Sequence, residues 1–183
     1  MFAKYSRVFN ADQVDGYELP ERKDICQIDA IDAADQILDK SGADIRHGEL
    51  NAYYNVSQDF INLPPFEFFK DANDGTAIQN YYGVAFHELT HWTGAPHRLD
   101  REVHNRFNDP KYAFEEIVAE LGAAMCCVIC GVSSTVREDH SQYIQNWLTA
   151  LKSDKRFIFT ASSQAQKAVD YILAVQEEMQ EAA

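Results

Sequence analysis

From Thr76 onward the apolar positions of this chain recur at helical spacing, whereas before it they come in short runs bounded by turn residues. The first stretch predicts an extended segment at 5–10, a turn around Asp15-Gly16, and a helix near 29–40 closed by Ser41-Gly42. Short β runs follow at 45–47, 52–56 and 60–63. Ser57-Gln58-Asp59 separates the last two and Pro64-Pro65 stops them, which predicts a small sheet with a hairpin. Four helices are expected near 76–94, 110–130, 138–152 and 163–180. The pattern is α+β: a small N-terminal sheet with a helix, then a mainly helical C-terminal half. No internal repeat or low-complexity tract interrupts it.

The 76–94 segment resolves by face. At about 100° per residue, Ile78, Tyr81, Tyr82, Ala85, Leu89 and Trp92 form one apolar stripe, with His87 and His91 on the far side beside Asn80 and Glu88 at the edge between. Gly94 and Pro96 end the helix. The sequence His87-Glu88-Leu89-Thr90-His91 thus sets two imidazoles a turn apart on one face, in reach of one metal, with Glu88 beside them as a general base for a water that the metal activates. A lone histidine is ordinarily a satisfied core or surface residue. Two at i and i+4 around a glutamate, off the core stripe, read as metal ligands.

A catalytic metal needs a third protein ligand. One choice lies inside the motif, because His87-Glu-x-x-His91-x-x-Gly94-x-x-His97 matches the metzincin pattern. That pattern also requires a methionine turn, and Met125 sits instead on an apolar helical stripe. The other choice is acidic and comes from the next helix, as in gluzincins. Asp109-Pro110 predicts its start and Gly131 its stop. Phe114, Ile117, Val118, Leu121, Met125 and Val128 form its apolar stripe; Glu116 and Glu120 stand opposite, among Ala119, Ala123 and Cys127, small residues that allow close helix packing. The preferred assignment is Glu116 as metal ligand and Glu120 as the outer carboxylate that orients a ligand histidine. Exchange of those two roles, and His97 as ligand, stay open. Glu115 falls to the side and reads as solvated surface.

Composition narrows the classes. With 183 residues, 46% of them hydrophobic, the chain is long enough for one compact domain, 1–183. A formal charge of −13 argues against unaided binding to nucleic acid or to an anionic membrane. The start carries no apolar leader and no run approaches a membrane span, so a cytoplasmic protein is expected. Cys126, Cys127 and Cys130 lie in an apolar run and, with Cys26, read as small core hydrophobes, since Cys127-x-x-Cys130 has no second pair. Asn55-Val56-Ser57 is a sequon in form and a turn by expectation.

Longer stretches carry a resemblance. Tyr81-Tyr82-Gly83, Phe86-His87-Glu88-Leu89-Thr90-His91-Trp92-Thr93-Gly94, Arg98-Leu99-x-Arg101, and Tyr112-Ala113-x-Glu115-Glu116-x-x-Ala119-Glu120-Leu121-Gly122 resemble the zincin-type metallopeptidase domain of ArdC-type antirestriction proteins and TraC-like plasmid primases. Asp139-His140-x-x-Tyr143-Ile144-x-x-Trp147-Leu148 and Ala165-Gln166-Lys167-Ala168 fit the same family, so the likeness runs from about Val8 onward. It implies a zincin-like fold, a metal site at His87, His91 and the Glu115-Glu116/Glu120 cluster without His97, and an origin in mobile elements. In that family a single-strand-DNA-binding domain usually precedes this one. Its absence here agrees with the acidic charge and implies no direct DNA contact, the chain being either a stand-alone domain or one piece of a longer protein.

The resulting expectation is zinc-dependent peptide hydrolysis in an antirestriction or host-takeover role, acting on a protein or peptide substrate, with zinc held by His87, His91 and Glu116 and with Glu88 as base. Manganese or iron tolerates the same donor set. The strand at 60–63 is expected to offer an edge to an extended substrate. Tyr112 and His104 are polar neighbours to which no role is assigned. The rival class is a non-catalytic metal-binding protein that acts by associating with a host protein; the intact Glu88 counts against it. A structural metal ranks last, because such sites are usually rich in cysteine.

Overall fold

In a computed structural model, residues 13–16, 27–72, 75–101, 103, 110–132 and 156–181 are described. The expected extended segment at 5–10, the helix at 138–152, the Asp109 cap, Cys26 and His104 fall outside them.

Helix α1 spans Gln27–Lys40. It ends where Gly42 takes φ of +76°, which a residue with a β-carbon reaches only under strain. Strands β1 (Asp44–Arg46), β2 (Tyr53–Asn55) and β3 (Phe60–Asn62) follow. The sheet order is β1-β3-β2, with β1 parallel and β2 antiparallel to β3. Asn55 builds the hairpin turn: its Oδ1 accepts hydrogen bonds from the backbone of Ser57 at 3.1 Å and of Gln58 at 3.0 Å. The hairpin is as expected, but the substrate edge is not. Because β3 is paired on both sides, its backbone groups are consumed within the sheet, and among the described residues the outer strands are β1 and β2.

Helix α2 spans Ala77–Trp92. Thr76 and Gln79 cap each other reciprocally at its start, and Asp71 Oδ1 accepts from the Ala77 backbone at 2.7 Å. Its apolar stripe faces the core, and the helix packs on β2, β3 and α1. The opposite face is also covered, because α3 (Pro110–Cys130) lies along it. The two backbones approach closely at Gly122, where a β-carbon would stand 2.6 Å from Thr90 Oγ1.

Helix α4 spans Phe157–Glu181. It starts six residues before the expected 163. Tertiary packing overrides the weak local propensity of its first turns: Ala161 and Ala165 are buried against Ile117 and Val118, and Phe157 meets Phe114 edge to face. Val128, expected on the apolar stripe of α3, is 73% exposed, since Cys126, Cys127 and Cys130 occupy the buried side of that last stretch. The three thiols are free, and burial pushes those of Cys126 and Cys127 up to about 12. Among the described residues no helix is long and apolar enough to cross a membrane.

Candidate metal centre

The helical repeat of α2 puts His87 and His91 edge to face, with their Nε2 atoms 3.1 Å apart. Glu116 reaches them from α3, with Oε1 3.3 Å from His91 Nε2 and Oε2 3.7 Å from His87 Nε2. The close approach of Thr90 to Gly122 allows the Glu116 carboxylate to bridge the two helices. Donor atoms of His87, His91 and Glu116 all lie within 4.8 Å of one another. Donors about 2.1 Å from a tetrahedral ion stand about 3.4 Å apart. Two imidazole nitrogens and a carboxylate oxygen at these separations therefore fit a divalent cation in both spacing and chemistry.

The outer nitrogens are held as well. His87 Nδ1 lies 2.9 Å from Glu120 Oε1, and His91 Nδ1 lies 3.2 Å from Glu115 Oε1. With each Nδ1–H donated to a carboxylate, the Nε2 lone pairs turn inward. One helix thus brings three carboxylates to two histidines. Burial opposes charge on His91, but the Glu115 and Glu116 hydrogen bonds outweigh it and raise its pKa to about 10. His87 is likewise raised, burial being overcome by Glu120 and by the charge of Glu88. Burial works against ionisation of Glu116, yet hydrogen bonds from His91 and Tyr112 and the nearby imidazoles keep its pKa lowered.

Glu115 is a correction to the sequence reading. It is 3% exposed rather than solvated, because Arg101 returns from the loop after α2 and closes over it, with Nη2 2.9 Å from Oε1 and Nε 3.1 Å from Oε2. Desolvation raises its pKa, and the partners His91 and Arg101 more than reverse this. The sequence signals that pointed to it are Arg101 and Glu115 in the shared motif. Glu88 is 8% exposed and makes no hydrogen bond among the described residues. His97 is not brought to the site: its side chain is 63% exposed, and Nε2 lies 3.2 Å from Asp59 Oδ2. Nor does Gly94 turn the chain toward a third histidine. Its missing side chain makes room for Val103 and Arg101, which a β-carbon would meet at 2.5 Å and 3.0 Å.

Residues 32–164 match the family described as zincin-like metallopeptidase. The uncharacterized protein y4eC of Sinorhizobium fredii (strain NBRC 101917 / NGR234) is 43% identical over 180 residues, covering 98% of this chain and 57% of that protein. A DNA primase TraC of Escherichia coli is 40% identical over 174 residues, covering 94% of this chain and 16% of the primase. The crystal structure of the antirestriction ArdC protein from the R388 plasmid in its Mn(II)-bound form aligns with a TM-score of 0.71 at 40% identity, over 92% of this chain and 60% of that one. Its metal-free form aligns at 0.69. This chain therefore spans less than two thirds of the length of each of these relatives.

Proposed function

The chain belongs to the zincin-like metallopeptidase family, and from that premise we propose that it hydrolyses peptide bonds with a divalent metal, zinc in the first place, held by His87, His91 and Glu116. The convergence of their donor atoms within 4.8 Å is the observation that carries this reading. Manganese suits the same set, and the Mn(II)-bound ArdC relative supports that alternative.

A divalent ion in this position supplies Lewis acidity, polarising a scissile carbonyl and making water nucleophilic near neutral pH. The remaining work falls to side chains. Glu88, without a hydrogen bond among the described residues, takes a proton from the attacking water and delivers it to the leaving amine. Glu120 and Glu115 hold the outer nitrogens of His87 and His91, so that neither ring rotates away. Tyr112 donates to Glu116 and steadies the third ligand. An extended substrate adds to an outer strand, β1 or β2, neither of which has a second strand partner among the described residues.

The biological setting we propose is antirestriction or host takeover by a mobile element, supported by the 40% identity to ArdC. The substrate is a protein or peptide. A charge of −13 makes direct nucleic-acid binding by this chain unfavourable, and any such contact would come through further domains of a longer protein.

The test compares wild type with Glu88→Gln and Glu116→Ala in metal content, in cleavage of a proteome-derived peptide library, and in protection of incoming DNA from restriction in cells. The expected result is that Glu88→Gln keeps metal and loses both cleavage and protection. Full protection by metal-loaded Glu88→Gln would favour a non-catalytic binding role.

A further inference from the structure

We infer that Arg101 is a positioning residue for the metal centre: acting through Glu115, it holds the His91 ring so that Nε2 faces His87 and Glu116. The inference rests on the metal site proposed above. Arg101 touches neither the three donor atoms nor Glu88. Its guanidinium instead makes four contacts in a nearly closed compartment, its side chain being 5% exposed. Two go to the two oxygens of Glu115. The others go to Thr93 Oγ1 at 2.8 Å and to the backbone oxygen of Thr90 at 2.6 Å. The fork therefore ties the last turn of α2, which carries His91, to α3, which carries Glu115 and Glu116.

The loop is shaped to bring it there. The Leu99 backbone donates to Thr93 O at 3.0 Å and that of Arg101 to Gly94 O at 2.9 Å, while Asp100 takes φ of +48°. Gly94 leaves the space that the returning guanidinium and Val103 fill. A planar fork matches this arrangement, since it reaches both carboxylate oxygens and two further acceptors at once; a lysine offers the charge without the geometry.

Positioning and simple charge predict opposite signs. Removing a cation near a divalent site favours metal by Coulomb's law, whereas releasing His91 from its fixed orientation weakens it. The experiment is isothermal titration of Mn2+ into metal-stripped full chain, for wild type, Arg101→Met, Arg101→Lys, Glu115→Gln and the Arg101→Met/Glu115→Gln pair, with thermal melting of each metal-free protein. Arg101→Met and Glu115→Gln are expected to weaken Mn2+ binding by about 10- to 100-fold, and the pair by no more than the worse single change, because both act along one path. Arg101→Lys should also bind weakly despite its charge, and it carries the test if Arg101→Met does not fold. Arg98→Lys disturbs the neighbouring clamp on Asp59 and Tyr54 without touching Glu115. It should melt lower yet bind Mn2+ as wild type does. Unchanged or tighter binding in the Arg101 variants, or equal weakening by Arg98→Lys, would overturn the inference. Failure of wild type to bind Mn2+ at all would instead strike the metal site itself.

Discussion

Gly122 sits so close to Thr90 that a β-carbon on it would stand 2.6 Å from Oγ1 and 2.7 Å from Cγ2 of that side chain. The contact lies one residue from His91 on α2 and two from Glu120 on α3, so the helix spacing that it sets is also the spacing of the proposed metal donors. Thr90 cannot swing aside cheaply, since its hydroxyl donates to the Phe86 backbone oxygen at 2.7 Å in a buried setting.

Gly122→Ala should therefore push the helices apart. Overpacking of this kind costs about 1–3 kcal/mol, and each kcal/mol lowers Tm by roughly 2–4 °C in a chain of this size. The pair Thr90→Ala/Gly122→Ala removes both clashing atoms and should melt above Gly122→Ala alone. Thermal melting of wild type and the two variants measures this; no recovery in the pair would mean that the close approach is not the cause.

Glu116, Glu120 and His97 are expected to differ sharply when each is replaced by alanine and metal content is measured. Glu116→Ala loses the third donor and should retain no metal after dialysis. Glu120→Ala frees only the outer nitrogen of His87, so its affinity should fall by about 10- to 100-fold without vanishing. His97→Ala should bind as wild type does, because that side chain points to Asp59. Loss of metal with His97→Ala would restore the metzincin reading.

What the sequence disclosed follows the range of the forces involved. The His87–His91 pair and the bounds of α2 depend on spacing within one helix, and the strands at β1, β2 and β3 on short apolar runs; these were readable. Strand order was not, since the placement of β3 between β1 and β2 is set by pairing across the chain. Helical spacing alone places Glu115 in solvent, because its burial depends on a guanidinium fourteen positions earlier folding back over it. Val128 failed for a related reason: helical periodicity says which residues share a face, but not how far along the helix a partner covers it.

Asp59 links the β2–β3 turn to the end of α2. Arg98, stacked on Trp92 with its guanidinium carbon 3.8 Å from the ring centroid, donates to both oxygens of Asp59, and Tyr54 donates at 2.7 Å. The Arg98 hydrogen bond, against the opposing effect of burial, lowers the Asp59 pKa from 3.8 to about 2. A group whose folded pKa is depressed contributes stability that is complete above its unfolded value and fades as pH falls through the folded one. Asp59→Asn should thus melt lower than wild type at neutral pH, and the gap should close between pH 3.8 and about 2. Urea unfolding of the two proteins across that window checks the sign. A gap that stays constant into acid would show that the asparagine acts through packing rather than through lost charge.

Metal should also report on the fold, because the proposed donors come from two helices whose packing they share. An ion that binds the folded chain and not the unfolded one stabilises by mass action, about 2.7 kcal/mol at a free concentration one hundred times Kd. Melting of the stripped protein with added Zn2+ or Mn2+ should shift upward by several degrees and return on chelation. In Glu116→Ala the shift should disappear, even though α2 and α3 still pack through Thr90 and Gly122. Glu88→Gln should keep the whole shift, since that residue supplies no donor to the set. The two variants together separate holding the ion from using it: the first tests whether α3 contributes the third ligand, and the second leaves an intact site from which only the base is missing. Loss of the shift in Glu88→Gln would make Glu88 a ligand and remove it from the proton transfer assigned to it.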